Sequence, residues 1–261
     1  MSAAYTTNEI MTVTAARMLR NHAVCFVGIG LPSTAANLAR LTHAPDAVLI
    51  YESGPIGSKP QILPLSIGDG ELAETADTVV STPEIFRYWL QGGRVDVGFL
   101  GAAQLDRFAN INTTVIGDYA RPKVRLPGAG GAPEISASAK EVLIILKQSA
   151  RTFVKKLDFV TSVGHHLGGN SRQLAGIPGA GPVAVITDLC VMRPEATTKE
   201  LEVTQLHPGV SRADVEKATG WEIRFAESCA TTEPPSLHEL ETLRALEQRS
   251  ALAHGMKGPA E

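Results

Sequence analysis

The chain has 261 residues, of which 44% are apolar and 20% are charged, and its formal net charge is −3. This composition is typical of a globular protein with a sizeable core, and because no block of lysine and arginine stands out, nucleic acid is not expected as a partner. No stretch reaches about 18 apolar residues and the N-terminus lacks a signal-peptide pattern, so we expect a cytoplasmic chain that does not span a membrane.

Three cysteines occur, at Cys25, Cys190 and Cys229. Their number is odd, they are widely spaced, and none belongs to a C-x-x-C motif. Disulfide bonds and a zinc site are therefore poor interpretations, and we predict free thiols.

Short apolar runs alternate with helical patterns over the first fifty residues. We predict a helix over 7–22 capped by Thr7, a strand over 23–27, a helix over 33–41 capped by Ser33, and a strand over 47–51. This alternation predicts an α/β fold with an open, mostly parallel sheet and helices on both faces.

The rest of the chain continues the pattern less regularly, and it contains no segment rich enough in linker residues to split it. We therefore expect one domain over 1–261. The further predicted elements are a helix over 81–93, strands over 95–104, 110–118, 141–147, 182–192 and 200–206, and helices over 211–220 and 236–252. We expect residues 164–181, which are rich in glycine and histidine, to form a long surface loop.

Loops that follow parallel strands are where such folds bind ligands, and the first of these is VGIGLPSTAANLA at 27–39. Gly28 and Gly30 would let the backbone approach an anionic group at the start of the following helix. The third glycine of the dinucleotide-binding fingerprint is missing, so a tight strand-to-helix turn is an equally good interpretation.

The second loop is YESGPIGSKP at 51–60, where one acidic residue directly follows an apolar strand. Glu52 at the end of a strand, with glycines leaving space around it, could be a nucleophile or a general base. A metal site is not expected, because no second ligand lies at a useful spacing. An exposed loop glutamate is the alternative.

Two further loops carry amides and glycines. Asn110 and Asn112 have strand spacing, so both are expected to face one side and could hold a carbonyl oxygen. In LPGAGGAPEI at 126–135, successive glycines ahead of a helix could present backbone N–H groups to an anion. A polar strand edge and a flexible loop remain the alternatives.

Ser-His-Asp catalysis is the weaker interpretation of the chain. There is no G-x-S-x-G motif, and His165 and His166 lie in a glycine-rich loop without an evident partner. We expect these histidines to lie at the surface.

Together, these loops resemble the β-subunits of family I CoA-transferases. ESGPIG is similar to the Glu-Ser-Gly motif that carries the catalytic glutamate in the glutaconate CoA-transferase branch. The segments LSIGDGELAETADTVV and IFRYWLQGGRVDVGFLGAAQ are most similar to the members of that branch that act on 3-oxoadipate in the β-ketoadipate pathway. The resemblance covers nearly the whole chain, from GIGLPSTAANLA to HPGVSRADVEKATGW.

The resemblance implies roles for these residues and for partners. Glu52 would be the nucleophile, Asn112 would hold a carbonyl oxygen, and Gly131 would contribute an oxyanion site. The residues expected to bind substrate or CoA are Gly28, Gly30, Ser53, Gly54 and Gly130. The enzyme would pair with an α-subunit, giving αβ or α2β2, would act on acyl-CoA and dicarboxylate substrates, and would need no metal or redox cofactor.

One departure from the family pattern is Ala109, which stands where members often have glycine. If φ is positive at this position, alanine costs about 1 kcal/mol of backbone strain. Two other functions share the fold: hydrolysis of a CoA thioester, which some relatives without this glutamate perform, and non-catalytic ligand sensing. Glu52 favours transfer over both.

Overall fold

The computed structural model describes residues 4–255, which form two compact units. Unit 1 consists of the chain up to Phe99 and again from Pro234, and unit 2 consists of Leu100–Glu233. The expectation of one domain rested on the absence of a linker, and it stays a prediction.

The helices in chain order are α1 (Thr7–Arg17), α2 (Leu31–Leu41), α3 (Gly70–Glu74), α4 (Thr82–Glu84), α5 (Ala132–Ser138), α6 (Ser171–Leu174), α7 (Arg212–Lys217) and α8 (Leu237–Ala253). A π-helical turn, Ile85–Leu90, follows α4. The strands in chain order are β1 (Val24–Val27), β2 (Val48–Ile50), β3 (Pro55–Ile56), β4 (Thr78–Val79), β5 (Val97–Leu100), β6 (Gln104–Leu105), β7 (Ile111–Asn112), β8 (Val115–Gly117), β9 (Pro122–Arg125), β10 (Glu141–Ile145), β11 (Pro182–Ile186), β12 (Cys190–Pro194), β13 (Leu201–Leu206) and β14 (Arg224–Thr231).

In unit 1 the strand order is β5-β1-β2-β3-β4. β1 pairs in parallel with both β2 and β5, whereas β3 and β4 are added antiparallel at the β2 edge. The buried strands are short and apolar, as expected for parallel strands covered by helices. The residue that follows β2 therefore sits at the end of a buried parallel strand.

Ion pairs join two helices of unit 1, α1 and α8. α8 begins at a capping box formed by Ser236 and Glu239, and Glu239 also accepts two hydrogen bonds from Arg17 of α1, each 2.7 Å long. α1 begins at Thr7, as predicted, but its cap is Thr6, which forms a capping box with Glu9, and the helix ends at Arg17 rather than at residue 22. These contacts join the C-terminal helix to the N-terminal one.

In unit 2 the strand order is β14-β13-β12-β11-β10. β10 pairs with β11 and β13 pairs with β14 in parallel, while β12 runs antiparallel to both of its neighbours. The single strand predicted over 182–192 is wrong. The chain reverses direction because Thr187 Oγ1 accepts the backbone N–H groups of Leu189 and Cys190, at 3.1 and 2.9 Å, and so closes a tight turn.

The α/β prediction built around parallel strands is confirmed, and the antiparallel pairs are an addition to it. The helix predicted over 211–220 is α7, which is capped by Ser211 and ends at Lys217. The helix predicted over 81–93 consists instead of a short α-turn and the π-helical turn. No helix within 4–255 is long and apolar enough to cross a membrane.

The prediction of free thiols is confirmed, since Cys25, Cys190 and Cys229 form no disulfide. Cys25 and Cys190 are buried, and burial raises the pKa of both thiols, that of Cys190 to about 12. These two thiols are therefore protonated and unreactive at neutral pH.

Candidate active site

Glu52 lies in a tight turn of unit 1 between β2 and β3. The backbone N–H of Tyr51 donates to the carbonyl oxygen of Pro55 at 3.1 Å, and the N–H of Gly54 donates to that of Tyr51 at 3.0 Å. Glu52 and Ser53 occupy the tip, and both are half-buried. The carboxylate thus lies two residues beyond β2, after the buried Tyr51, one residue further from the strand than the sequence predicted.

The glycine after Ser53 is required by its backbone conformation and by close packing. Gly54 has a φ of 119°, and a Cβ atom there would lie 2.0 Å from the carbonyl oxygen of Val80. The carbonyl oxygen of Gly54 also accepts the N–H of Val80 at 3.0 Å. Gly54 therefore packs against the chain beside β4, which holds the turn in place.

A buried tyrosine before Glu52 ties this turn to α2. The hydroxyl of Tyr51, a fully buried residue, lies 3.2 Å from Ser33 Oγ and accepts from Asn37 Nδ2 at 3.4 Å. Burial raises the pKa of the phenol, so it stays protonated. Sequence reasoning missed this contact, although Ser33 and Asn37 form a polar i, i+4 pair on an otherwise apolar helix face.

The predicted cap of α2 is wrong. The helix begins at Leu31 with Gly30 as its cap, at a φ of 85°, and Ser33 lies inside the first turns. Gly28 packs closely, since its N–H donates to the carbonyl oxygen of Phe99 at 2.9 Å and a Cβ atom would lie 3.0 Å from that oxygen. Gly30 has open space around it, so only its backbone conformation requires glycine.

Asn112 lies in unit 2 and is fully buried. Its Nδ2 donates to Gln104 Oε1 at 2.9 Å and to the carbonyl oxygen of Val115 at 2.7 Å. Its Oδ1 accepts the N–H groups of Thr114 and Val115, at 3.0 and 3.2 Å. The side chain therefore shapes the turn over 112–115, and its predicted role in holding a carbonyl oxygen stays a prediction.

The glycine loop, residues 126–131, lies beside that turn. The N–H of Gly128 donates to the carbonyl oxygen of Thr113 at 2.8 Å, and the N–H of Leu126 donates to that of Thr114 at 3.0 Å. Gly130 has a φ of 50°, whereas Gly131, the cap of α5, has φ −81° and ψ −4°. The two loops predicted separately in this unit therefore form one wall, in which Gly130 has the conformation that favours glycine.

Asn110 and Asn112 do not share partners. Asn110 Nδ2 donates to Asp106 Oδ2 at 2.9 Å and to the carbonyl oxygen of His166 at 2.8 Å. Its Oδ1 accepts the N–H of Gly164 at 2.8 Å. The preceding residue, Ala109, has a φ of 57°, so the left-handed conformation anticipated for this position is present.

A buried arginine organises the segment that was predicted to be a surface loop. Arg172 is 5% exposed, and its guanidinium donates to six backbone carbonyl oxygens over distances of 2.7 to 3.3 Å. The acceptors belong to Ser136, Ala137, Val163, Gly164, Pro178 and Gly179. Burial lowers the pKa of Arg172 to about 10, so it stays charged at neutral pH.

Two of these acceptors, Ser136 and Ala137, lie in the last turn of α5, where the helix dipole also stabilises a cation. Arg172 thus anchors the far end of the helix that the glycine loop begins.

His165 is buried as well, with its Nε2 2.7 Å from the carbonyl oxygen of Pro182, and burial lowers its pKa. The expectation that His165 lies at the surface is wrong.

A profile of the coenzyme A transferase family matches residues 8–218. This chain belongs to the coenzyme A transferase family. The match covers the Glu52 turn and the glycine loop alike, so the chain is part of a CoA-transferase and the predicted family is confirmed.

Curated members of the coenzyme A transferase family match nearly the whole chain. It is 74% identical to the B subunit of the 3-oxoadipate CoA-transferase of Pseudomonas knackmussii over 258 residues, which is 99% of each chain. It is 34% identical to the B subunit of the glutaconate CoA-transferase of Acidaminococcus fermentans, covering 88% of each. The crystal structure of the Acidaminococcus enzyme superimposes with a TM-score of 0.86, at 32% identity, over 94% of this chain and 95% of the other.

A relative with different chemistry is also similar. The IpdB subunit of the cholesterol ring-cleaving hydrolase of Mycobacterium tuberculosis is 26% identical over 91% of this chain and 93% of its own length. The coenzyme A transferase fold therefore does not by itself decide between transfer and hydrolysis, and the side chains must.

The predicted site residues of this CoA-transferase chain fall into two sets. Those in unit 1 are Gly28, Gly30, Glu52, Ser53 and Gly54, and those in unit 2 are Asn112, Gly130 and Gly131. Ser53 Oγ is one of six buried side-chain polar atoms without a hydrogen-bond partner in the part of the chain that the structure describes. Over the same residues, no cluster of three or more histidine, cysteine and acidic side chains is arranged to hold a metal. Contacts of the predicted residues with substrate stay predictions.

Proposed function

We propose that this chain is the β-subunit of an enzyme that moves CoA from succinyl-CoA to 3-oxoadipate. The observation that carries the proposal is Glu52 at the tip of a turn held rigidly at the end of β2. The 74% identity over 99% of the B subunit of a 3-oxoadipate CoA-transferase supports the choice of acceptor. The turn is preorganised, because Gly54 and Tyr51 fix the backbone on both sides of the carboxylate.

In the first half-reaction, a carboxylate oxygen of Glu52 attacks the thioester carbonyl carbon of succinyl-CoA, and the C–S bond breaks to give a mixed anhydride and CoA thiolate. The thiolate then attacks the glutamyl carbonyl carbon of the anhydride. Succinate leaves, and CoA remains attached to Glu52 as a thioester.

In the second half-reaction, a carboxylate of 3-oxoadipate attacks the glutamyl thioester, which releases the thiolate and forms a second anhydride. The thiolate attacks the 3-oxoadipyl carbonyl, giving 3-oxoadipyl-CoA and the free Glu52 carboxylate. Each step transfers an acyl group between oxygen and sulfur without a change of oxidation state. We therefore propose that no resident metal or redox cofactor takes part.

Each attack produces a tetrahedral oxyanion that must be stabilised. We propose that the backbone N–H groups of Gly130 and Gly131 serve this purpose, a contribution of about 10²–10³ in rate for each donor. Asn112 supports the same wall through the turn over 112–115, next to which Gly128 is hydrogen-bonded. Water must be excluded, because it would hydrolyse both the anhydride and the thioester.

We also propose that the active enzyme contains an α-subunit, in an αβ or α2β2 assembly. The supporting observation is that its 74% identical relative is named as the B subunit of an enzyme, which implies a second subunit. Purified alone, this chain should show no transferase activity. Full activity of the isolated chain would contradict this part of the proposal.

Hydrolysis of a CoA thioester is the second candidate, because a hydrolase subunit is among the relatives. The two reactions are separated by the fate of the thioester on Glu52. A transferase passes CoA to an acceptor acid and shows ping-pong kinetics, whereas a hydrolase releases free thiol with succinyl-CoA alone. A non-catalytic sensing protein would do neither.

The direct test is to incubate the αβ complex with succinyl-CoA alone, digest it and search for a CoA adduct by mass spectrometry. We expect the adduct on the peptide that contains Glu52 and none in the Glu52→Gln complex. An adduct on a different residue, or ternary-complex kinetics, would show that the mechanism is wrong. Continuous release of thiol without acceptor would favour the hydrolase.

A further inference from the structure

Unit 2 exposes a cluster of aromatic and basic side chains on the hairpin formed by β8, β9 and their connecting turn, residues 115–125. We call this segment the aromatic hairpin. Tyr119 is 59% exposed, and its ring stacks on Phe159 with centroids 5.6 Å apart and planes 26° apart. The guanidinium of Arg125 lies 4.7 Å from the centre of the Tyr119 ring.

These side chains are held in place although they are exposed. Asp158 Oδ2 accepts the N–H of Gly117 at 2.7 Å and so ties the Phe159 segment to the hairpin. Arg125 Nη2 also donates to the carbonyl oxygen of Tyr119 at 2.8 Å. Rigid tyrosine and arginine side chains in a stacked group are typical of the residues that dominate protein–protein binding energy, because little conformational entropy remains to be lost.

The charge of the aromatic hairpin differs from that of the chain as a whole. The chain has a formal net charge of −3, but the hairpin exposes Arg121, Lys123 and Arg125. The acidic residue of its turn, Asp118, accepts the backbone N–H groups of Ala120 and Arg121, each at 2.9 Å. A surface that fits this hairpin is therefore acidic at its rim and apolar where it meets Tyr119 and Phe159.

The hairpin continues directly into the glycine loop. β9 ends at Arg125, and the next residue, Leu126, begins the segment that is hydrogen-bonded to Thr113 and Thr114. A protein bound to the hairpin would therefore lie against the wall that contains Gly130. This continuity favours a partner that works with the active site over one that binds elsewhere.

We propose that the aromatic hairpin, together with Phe159, is the surface on which the α-subunit docks, and that the α-subunit presents an acidic, partly apolar face to it. This inference rests on the proposed two-subunit enzyme. Tyr119 is the central anchor, and the basic side chains around it steer the approach of the partner and set its orientation. Docking there also supports the glycine loop from outside.

The test uses biolayer interferometry at two salt concentrations to measure how the purified chain binds a cognate α-subunit. Tyr119→Ala should weaken the complex about 30-fold, the size expected for an interface anchor. Lys123→Glu should slow association about tenfold and flatten its salt dependence. The matched controls, Tyr88→Ala and Lys217→Glu, change exposed residues elsewhere and should bind as the wild type does. Circular dichroism and Tm confirm that each variant is folded.

The outcomes separate the two proposals. If the wild-type chain neither binds the α-subunit nor forms an active transferase with it, the proposed function is wrong. If the wild-type complex forms and is active, but Tyr119→Ala and Lys123→Glu bind within about twofold of it, the docking proposal is wrong. It is equally overturned if the variants raise only the KM for acyl-CoA, which would make the hairpin a nucleotide-binding surface, or if they affect only self-association of the chain.

Discussion

The turn that carries Glu52 and the loop that carries Gly130 and Gly131 resemble each other in sequence, since both are short and rich in glycine, but they are held by different contacts. The Glu52 turn has backbone hydrogen bonds of its own, and it is also closely packed: Gly54 lies against the carbonyl oxygen of Val80, and Tyr51 is buried against α2. The glycine loop is held by hydrogen bonds, at one end to Thr113 and Thr114 and at the other through α5 to Arg172.

The contrast shows that similar glycine motifs can have different physical requirements. In unit 1, glycine is required because no Cβ atom fits at Gly54. In unit 2, Gly128 has a φ of 107° and open space around it, so only its backbone conformation requires glycine. The first motif therefore tolerates no side chain, whereas the second depends on distant polar groups that hold the loop.

The largest effect is expected from Glu52 itself. Glu52→Gln keeps the shape of the turn but removes the nucleophile, so transfer should fall by about 10³-fold or more while substrate still binds. Glu52→Asp retracts the carboxylate by about 1 Å and should cost on the order of 10²-fold. Steady-state kinetics of the αβ complex measures both. Unchanged activity of Glu52→Gln would overturn the proposed function.

Arg172→Met tests how much the hydrogen bonds of the buried guanidinium stabilise unit 2, where the glycine loop lies. Six carbonyl oxygens would lose a charged donor, and we expect the free energy of unfolding to fall by about 3 kcal/mol or more. Denaturant unfolding measures the loss, and hydrogen exchange should show opening of residues 132–138 and 163–181. Arg151→Met, at an exposed position of the same unit, is the control and should change stability by less than about 0.5 kcal/mol. A similarly small loss for Arg172→Met would show that the carbonyl groups find other donors.

Gly54→Ala tests the close packing of the Glu52 turn against Val80, and Gly30→Ala is its control within unit 1. Both positions have positive φ, but only Gly54 would place a Cβ atom 2.0 Å from a carbonyl oxygen. Gly54→Ala should therefore lose about 3 kcal/mol or more, and clearly more than Gly30→Ala, which adds only backbone strain of about 1–3 kcal/mol. Gly128→Ala in unit 2 should resemble Gly30→Ala. Thermal unfolding compares the three, and equal losses at all of them would remove the distinction between the two motifs.

Tyr51→Phe should have a smaller effect. It removes only the hydroxyl that contacts Ser33 and Asn37, so we expect a loss of about 1 kcal/mol in stability. Because the turn carries Glu52, kcat should fall by about two- to tenfold with KM unchanged. Tyr88→Phe, at an exposed tyrosine of the same unit, should change neither quantity. A normal kcat in Tyr51→Phe would show that the phenol does not position the turn.

Ala109→Gly is expected to have the smallest effect. Glycine relieves about 1–2 kcal/mol of strain at a φ of 57°, but it removes a buried methyl group worth about 0.8 kcal/mol and adds freedom to the unfolded chain. The net change should lie within about 1 kcal/mol. By contrast, Ala15→Gly in α1 should cost about 1 kcal/mol or more. A loss of about 2 kcal/mol or more at Ala109 would contradict the left-handed conformation there.

Much of the fold and part of the site followed from local patterns in the chain. The parallel α/β arrangement, the starts of the helices near residues 211 and 236, and the place of Glu52 just after β2 were predicted because each depends on a few neighbouring residues. The family could be identified from the same short motifs and is confirmed by the profile match. The strand reversal at Thr187 was missed, because the apolar run on both sides of it hides the turn.

What the sequence by itself determined is therefore the fold class, the family and the position of the candidate nucleophile, since these depend on periodicity and on motifs of a few residues. Only the tertiary structure decided what holds the site. Arg172 reaches carbonyl groups up to 36 residues away, and the need for glycine at position 54 comes from Val80. Such contacts leave no local pattern, because they depend on how distant segments pack and not on which residues are neighbours in the chain.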